Sequence, residues 1–320
     1  MGTARARLAF LVATLIIPVP ACSPTRHPSG NKPLPAFPVR ITDDEGIPAQ
    51  VGRRPGRIVS LAAQHTETLF ALGRGASVVG VLGGETLPPE AMVLPRVIGE
   101  DPFAPEPSLV AGLGPDLILA SGAKGAAWKE ALRQEGFVVA TLNAAGVEDA
   151  LTDILTVGKL TGSLPEAERL TGRLRSQLDA IRQKVSEEPA PTVFLETGLA
   201  FPPLEGATGA SFPGDVVRRA GGRLAIEDGF PETVETVETV ETVEWPLDRL
   251  LQANPEVYLA PASSVGSAAA VAARPGFERL RAVQAGSVHL LDDDLVFLPG
   301  PRVAEAVRAI AGILHPGAGV

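Results

Sequence analysis

Apolar and polar positions along most of this chain fall into two repeating patterns. Val39-Arg40-Ile41-Thr42 alternates with the period of two that a half-buried strand requires. Asp43-Asp44-Glu45-Gly46 follows with turn chemistry, so a short hairpin is predicted. Short apolar runs bounded by turn residues then recur at 57–62, 78–82, 116–120, 137–142, 192–195, 257–260 and 288–291, each predicting a buried strand. Between them lie segments of helical period: 66–73, closed by Gly73, then 126–134, 215–220 ahead of Gly221-Gly222, 248–253, and the amphipathic stretch 302–314. Strand and helix in alternation predict a mainly parallel, doubly wound sheet.

One helical segment is longer than the rest. Ser163-Leu164-Pro165-Glu166 has the S-x-x-E form of a capping box with proline in the first turn. Behind it Ala167, Leu170, Leu174, Leu178, Ile181 and Val185 recur at spacings of three and four, one apolar stripe on one helix, until Glu187-Glu188-Pro189 stops it. At about 1.5 Å per residue, 164–186 would span roughly 35 Å, the width of a small domain. The expected fold is therefore α/β, two doubly wound α/β lobes (39–163 and 188–320) bridged by one long helix (164–187). The halves share the alternation without an obvious sequence repeat. A tandem ETV run at 232–244 has a period of three that suits neither strand nor helix, and its like charges at i,i+3 oppose a helix. It reads as a tolerant surface loop; an acidic patch for a basic partner is the alternative.

The N-terminus changes the picture of where such a protein works. Arg5 and Arg7 precede an apolar stretch at 8–19, twelve residues where a membrane-spanning helix needs about 20, so residues 1–22 read as a secretory signal. Cys22 is the sole cysteine, which excludes an intramolecular disulfide. Val19-Pro20-Ala21-Cys22 resembles the lipobox of a bacterial lipoprotein, with Val19 where leucine is usual and an atypical Pro20. The resemblance implies lipidation of Cys22; the alternative is cleavage after Ala21 that leaves a free thiol. The Pro-rich segment 23–38 has the composition of a semi-extended tether. The expected location is extracytoplasmic, lipid-anchored to the bacterial membrane, in the periplasm or on the cell surface.

Charge and motif content narrow the function. The formal charge is −9, and removal of 1–21 takes away two arginines and no acid, leaving −11. A phosphate-backbone partner needs clustered Lys and Arg, so no nucleic acid is expected. No H-x-x-x-H, G-x-S-x-G, Walker or dinucleotide fingerprint occurs among the 320 residues, so no enzyme activity and no cofactor are expected.

The chain resembles the substrate-binding proteins of ABC importers that have a helical backbone, the ferric-siderophore, haem and cobalamin group. The resemblance is carried by Arg57-Ile58-Val59-Ser60-Leu61 with Thr66-Glu67 and Ala71-Leu72-Gly73, by Gly114-Pro115-Asp116-Leu117-Ile118, and by Gly158-Lys159-Leu160-Thr161-Gly162. In the second half it rests on Ala220-Gly221-Gly222, Asn254-Pro255-Glu256-Val257, Arg274-Pro275-Gly276-Phe277, Ala282-Val283, Pro299-Gly300-Pro301-Arg302 and Leu314-His315-Pro316. It implies a metal-chelate ligand in a cleft between the lobes and an ABC permease with its ATPase as partners. It further implies an acid on each lobe that meets the permease. Asp248, seven residues before Pro255, holds the second-lobe position; the matching first-lobe position is Ser108, with Glu106 two residues earlier as a substitute.

Ligands of open parallel sheets bind beyond the carboxyl ends of the strands. Gln64 and His65 lie in the first such loop, and His65 either faces a ligand or bonds to backbone. Trp128, Phe201, Phe212 and Phe297 sit in or beside the others, where they stack on a corrin or aromatic chelate or else pack locally. Arg302 either grips an anionic group or pairs with an acid such as Asp292, and Glu85 is a further candidate. His289 and Tyr258 lie mid-strand and read as structural, which leaves haem, with its need for an axial ligand, behind a cobalamin-type corrinoid or a ferric siderophore. An anchored enzyme, or a sensor or scaffold on the same fold, is the competing class.

Overall fold

A computed structural model describes residues 37–84, 87–99, 101, 104–122, 124–198, 201–225 and 242–320, all within a single compact unit. The signal segment, Cys22, most of the tether and Glu85 lie outside the described residues. No helix among the described residues is long and apolar enough to cross a membrane.

The predicted hairpin is present as β1 (Val39–Thr42) and β2 (Pro48–Val51), antiparallel about Asp43-to-Gly46 turn residues. The first half continues with β3 (Ile58–Ser60), α1 (Ala63–Ala71), β4 (Val78–Val81), α2 (Pro107–Gly112), β5 (Leu117–Ala120), α3 (Ala127–Gln134) and β6 (Val139–Thr141). Two long helices follow, α4 (Val147–Thr161) and α5 (Leu164–Val185). The second half opens with β7 (Thr192–Leu195), β8 (Glu205–Ala207), α6 (Phe212–Arg219), β9 (Arg223–Leu224) and β10 (Thr242–Glu244). It continues with α7 (Leu247–Ala253) and β11 (Val257–Pro261), then the short turns α8 (Ala262–Val265), α9 (Ala268–Ala272) and α10 (Arg281–Gln284). It closes with β12 (Val288–Leu291), α11 (Asp293–Val296) and α12 (Val303–Leu314).

Each half winds a four-stranded parallel sheet, ordered β4-β3-β5-β6 in the first and β9-β7-β11-β12 in the second. The winding is the same in both, so the internal repeat that the residues hide is present in the topology. Even a local device recurs. Asp116, just before β5, accepts the Gly56 and Arg57 amides at 3.0 Å, and Glu256, just before β11, accepts the Thr192 amide at 2.9 Å. In each half a carboxylate thereby fixes the start of the first strand against its neighbour. The helices ahead of these acids, α2 and α7, are both followed within two residues by a left-handed residue, Gly114 (φ 54) and Asn254 (φ 43).

The apolar stripe of α5 is buried along its whole length. Leu170, Leu174, Leu178 and Ile181 join one core cluster with Leu117 and Leu119 of the first sheet and Val193 and Leu259 of the second. Each buried side chain of this size contributes roughly 1.5–3 kcal/mol, so the bridging helix is packed into both halves at once. Its start differs from the expected capping box. Ser163 stands at the N-cap, but its hydroxyl bonds Thr161 Oγ1 at 2.7 Å and not the helix amides, while Glu166 pairs with Arg169. The buried Thr161 offers the hydroxyl a closer partner than the amides do.

Two elements correct the sequence reading. α4 is absent from the predicted elements, although Ala150, Leu151, Ile154, Val157 and Leu160 form a buried helical stripe. Gly158 brings α4 close to α5, because a Cβ there would stand 2.5 Å from the Ala167 Cβ. The end of the ETV run is also not loop: residues 242–244 form β10, antiparallel to β8 with Thr242 opposite Ala207. An alternating edge needs only three residues, too few for a period of three to matter. The rest of the run lies outside the described residues.

Candidate functional site

Two ties join the halves beside the carboxyl ends of their sheets. The segment after β12 packs on the first turn of α1, which follows β3: a Cβ at Gly300 would stand 3.3 Å from the Gln64 Cβ, and Arg302 reaches Glu67. On the other flank, Asp215 at the start of α6 accepts the Val147 amide at 2.9 Å and so caps α4, which follows β6. Burial alone would raise the Asp215 pKa, but that amide and Arg219 together pull it below the ordinary carboxylate range. The loops beyond the strands lie between these ties, where a ligand of a parallel sheet belongs.

On the first half, the structure redirects two candidates. His65 is 2% exposed, and its Nε2 lies 3.2 Å from the carbonyl oxygens of both Ala120 and Leu142. Since both neighbours are acceptors, the ring is assigned its proton on Nε2. Burial lowers its pKa to about 4, so the imidazole is neutral and ties α1 to the ends of β5 and β6. It is therefore the backbone-bonded histidine of the two alternatives, not a ligand contact. Gln64 is buried beneath Gly300 and belongs to the contact between the halves. Trp128 stays half-buried beside the apolar cluster under β5, with the Lys129 ammonium 5.5 Å from its ring.

Lys129 itself is fully buried. Its Nζ donates to Glu45 at 2.9 Å and to the Gly122 carbonyl at 3.0 Å, and Arg133 joins Glu45 at 2.7 Å. Burial works to raise the Glu45 pKa, but these two cations outweigh it and hold the carboxylate below its usual range. The β1–β2 turn thus anchors the loop past β5.

On the second half, the wall of the site is aromatic. Glu196 follows β7, is 1% exposed, and accepts hydrogen bonds from Tyr258 Oη at 2.8 Å and Arg274 Nη1 at 3.0 Å. Burial first, and then the Glu196 charge, push the Tyr258 phenol well up, so it remains a donor. The Arg274 guanidinium carbon lies 4.4 Å from the centroid of the Phe201 ring, and Phe277 meets that ring edge-on at 5.7 Å. Phe201 is 38% exposed and forms the outer layer of this stack. Phe297 is half-buried against the core, and Phe212 is wholly core at 4% exposed, because α6 begins three residues earlier than its apolar pattern suggests. Phe212 is thus not available to a ligand.

Arg302 is committed to an acid other than the expected Asp292. It makes a bidentate pair with Glu67, Nε to Oε2 at 2.9 Å and Nη2 to Oε1 at 2.8 Å, and donates to the Asp294 carbonyl. The hydrogen bonds to Glu67 raise its pKa further, so it stays charged. In the sequence, Glu67 and Arg274 belong to motifs that carry the family resemblance and are not ligand candidates, and Glu196 is in neither group. Glu196 carried a signal nonetheless, as an acid placed directly at the end of an uninterrupted apolar strand.

Asp248 is exposed in the first turn of α7, and Ser108 is exposed at the corresponding place in α2. Glu106 caps α2, accepting the Ser108 hydroxyl at 2.9 Å and its amide at 3.3 Å. A groove of about 670 Å3 lies between α5 and α6 and reaches Glu148 and Asp215 at the second tie. Its arginines are satisfied locally, Arg182 by Asp179, Arg218 by Asp215, and Arg219 by Asp215 and Glu148.

Comparison with known proteins gives a coherent result. A family model described as periplasmic binding protein matches residues 58–295. An uncharacterized ABC transporter substrate-binding lipoprotein of Bacillus subtilis, YvrC, is 28% identical across 88% of this chain and 86% of its own length. A protein of Halobacterium salinarum named cobalamin-binding protein is 26% identical across 95% of this chain and 82% of its own. Among solved structures, the apo form of the periplasmic heme-binding protein RhuT from Roseiflexus sp. RS-1 superposes with a TM-score of 0.70 at 24% identity. That likeness covers 82% of this chain and 98% of the other, and it bears on the fold alone.

Proposed function

Because this chain belongs to the periplasmic binding protein family, of the type that serves B12, haem and siderophore ABC importers, we propose that it captures a corrinoid between its two sheets and delivers it to a membrane permease. The family works outside the cytoplasm, and the relatives' names are those of transport proteins. The lipoprotein name of the Bacillus relative supports a lipid on Cys22 as the anchor.

The observation that carries the ligand class is the character of the strand ends. Phe201 is 38% exposed in the loop past β7, while Arg274 beside it, and Arg302 and Lys129 elsewhere, are each already paired with a carboxylate. A flat, largely apolar macrocycle suits such a surface, because it needs area and few charges. To engage Arg274 or Arg302, a polyanionic ferric chelate would have to draw the guanidinium from its partner, at the cost of leaving a buried carboxylate behind. Haem asks for an axial ligand, yet His65, His315 and Tyr258 are buried, Tyr258 is engaged with Glu196, and His289 is half-buried within β12. Delivery would use acids exposed on both halves, Asp248 on α7 and Glu106 with Ser108 on α2. Surface carboxylates of this kind steer an encounter more than they tighten it.

A thermal-shift series on the purified protein with cyanocobalamin, cobinamide, haem and several ferric siderophores tests the reading. Ligand at 1,000 times its dissociation constant adds about 4 kcal/mol, a shift on the order of 8 °C for a chain of this size. Corrinoids are expected to give it. A shift with ferric chelates or haem alone would overturn the corrinoid assignment, and no shift with any of them would count against capture itself.

A further inference from the structure

Phe201 projects from a loop, where an aromatic side chain would ordinarily choose among rotamers, yet its surroundings restrict it. The guanidinium carbon of Arg274 lies 4.4 Å from the ring centroid, and Phe277 closes one edge. Arg274 is in turn fixed by two groups with no freedom of their own. Glu196 is 1% exposed at the end of β7, and Tyr258 is fully buried in β11, its ring packed on Phe194 and Phe277. Nη1 donates to both, to Glu196 Oε2 at 3.0 Å and to Tyr258 Oη at 3.3 Å.

A buried ion pair is a costly way to fill space, since apolar side chains of similar volume are often as stable or more so. What apolar side chains do not provide is a planar group held by directional hydrogen bonds. We propose that Arg274 is a positioning residue for ligand capture: fixed by Glu196 and Tyr258, it sets the orientation of the Phe201 ring, so that the ring offers a preset flat face to a planar macrocycle. This rests on the receptor reading above. A ring already held in its binding orientation loses less freedom when the ligand arrives, which is the general source of affinity through preorganisation.

The test combines a ligand-free measurement with a double-mutant cycle. Arg274→Lys keeps a cation for Glu196 but loses the planar fork that allows pairing and stacking together. In protein with 13C-labelled phenylalanine rings, the Phe201 resonances, assigned by their loss in Phe201→Ala, are expected to move in Arg274→Lys toward those of an averaged ring. Affinity for cyanocobalamin is expected to fall about tenfold in Phe201→Ala and severalfold in Arg274→Lys, with Arg274→Lys adding nothing in the Phe201→Ala background. Phe201 resonances unchanged in Arg274→Lys would overturn the positioning role whatever the ligand. So would equal losses in both backgrounds, which would mean that Arg274 acts on the ligand or the fold without Phe201. A wild-type protein that binds no corrinoid while its Phe201 signals still respond would instead sink the corrinoid reading and leave the positioning intact.

Discussion

Asp153 should make this protein less stable as the pH rises. It lies in the buried stripe of α4, 8% exposed, with Asp44 and Asp149 as like-charged neighbours. Burial first, and then those two charges, raise its pKa from 3.8 to about 8. A group whose folded-state pKa is raised binds its proton more tightly in the folded chain than in the unfolded one. Its stabilising effect is therefore complete below the unfolded value and is lost as pH climbs toward the folded value. Each unit of pH in that window removes about 1.4 kcal/mol, so from pH 5 to pH 8 the ionising carboxyl withdraws about 4 kcal/mol. Asp153→Asn has nearly the shape of the protonated acid and cannot ionise. Urea unfolding of both proteins across this range isolates the effect, because all other groups titrate alike in the pair. The variant should gain on wild type by a few kcal/mol between pH 5 and pH 8. A difference that stays constant with pH would refute the reasoning and place the carboxyl in contact with water or a cation.

Four further outcomes follow from packing and charge. Gly158→Ala should destabilise by about 1–2 kcal/mol in urea despite alanine's better helix propensity, since the new methyl meets the Ala167 Cβ at 2.5 Å; Gly172→Ala, exposed on α5 with open space around it, should instead gain up to about 1 kcal/mol. Arg302→Ala removes the partner of Glu67, which is only 10% exposed, and should lower stability by about 2 kcal/mol, whereas a change under about 0.5 would mean that the tie between the halves is idle. Asp248→Lys should abolish uptake in cells while leaving the affinity of the isolated protein unchanged, and a loss of affinity would show that α7 belongs to the ligand site.

Fold class was legible because burial imposes its period on the residues. The strands at 192–195 and 288–291 match β7 and β12 to the residue, and the stripe on α5 emerged intact since one helix face packs against α4 and α12. Polar interactions were not legible, because they join residues far apart in the chain. Glu67 finds Arg302 across 235 positions, and His65 finds Leu142 across 77. A histidine beside a predicted ligand loop has the same sequence signature whether it faces the ligand or turns beneath the sheet. The Ser163 box failed for a related reason: four residues specify it, but a buried hydroxyl nearby, Thr161, competes for the same oxygen. Phe201 was visible as a loop aromatic, while the support that gives it a fixed face comes from three other segments of the second half.

The ties between the halves bear on how capture works. Arg302 with Glu67 holds one flank of the strand ends and Asp215 with the Val147 amide holds the other, and both are charge-bearing hydrogen bonds. Parting the halves would give up about 1–3 kcal/mol at each such bond. It would also disturb α5, which packs against α4 of the first half and α12 of the second in one core. A cleft that opened widely would have to recover all of this from the ligand at every cycle, and affinity would fall by the same amount. A surface whose aromatic face and ion pairs are set in advance avoids that cost, since the ligand then finds its complementary wall already formed. Selection would then lie in the preset wall, in Phe201 and the groups that orient it, and the stability of the ties would determine how much of the binding energy appears as affinity.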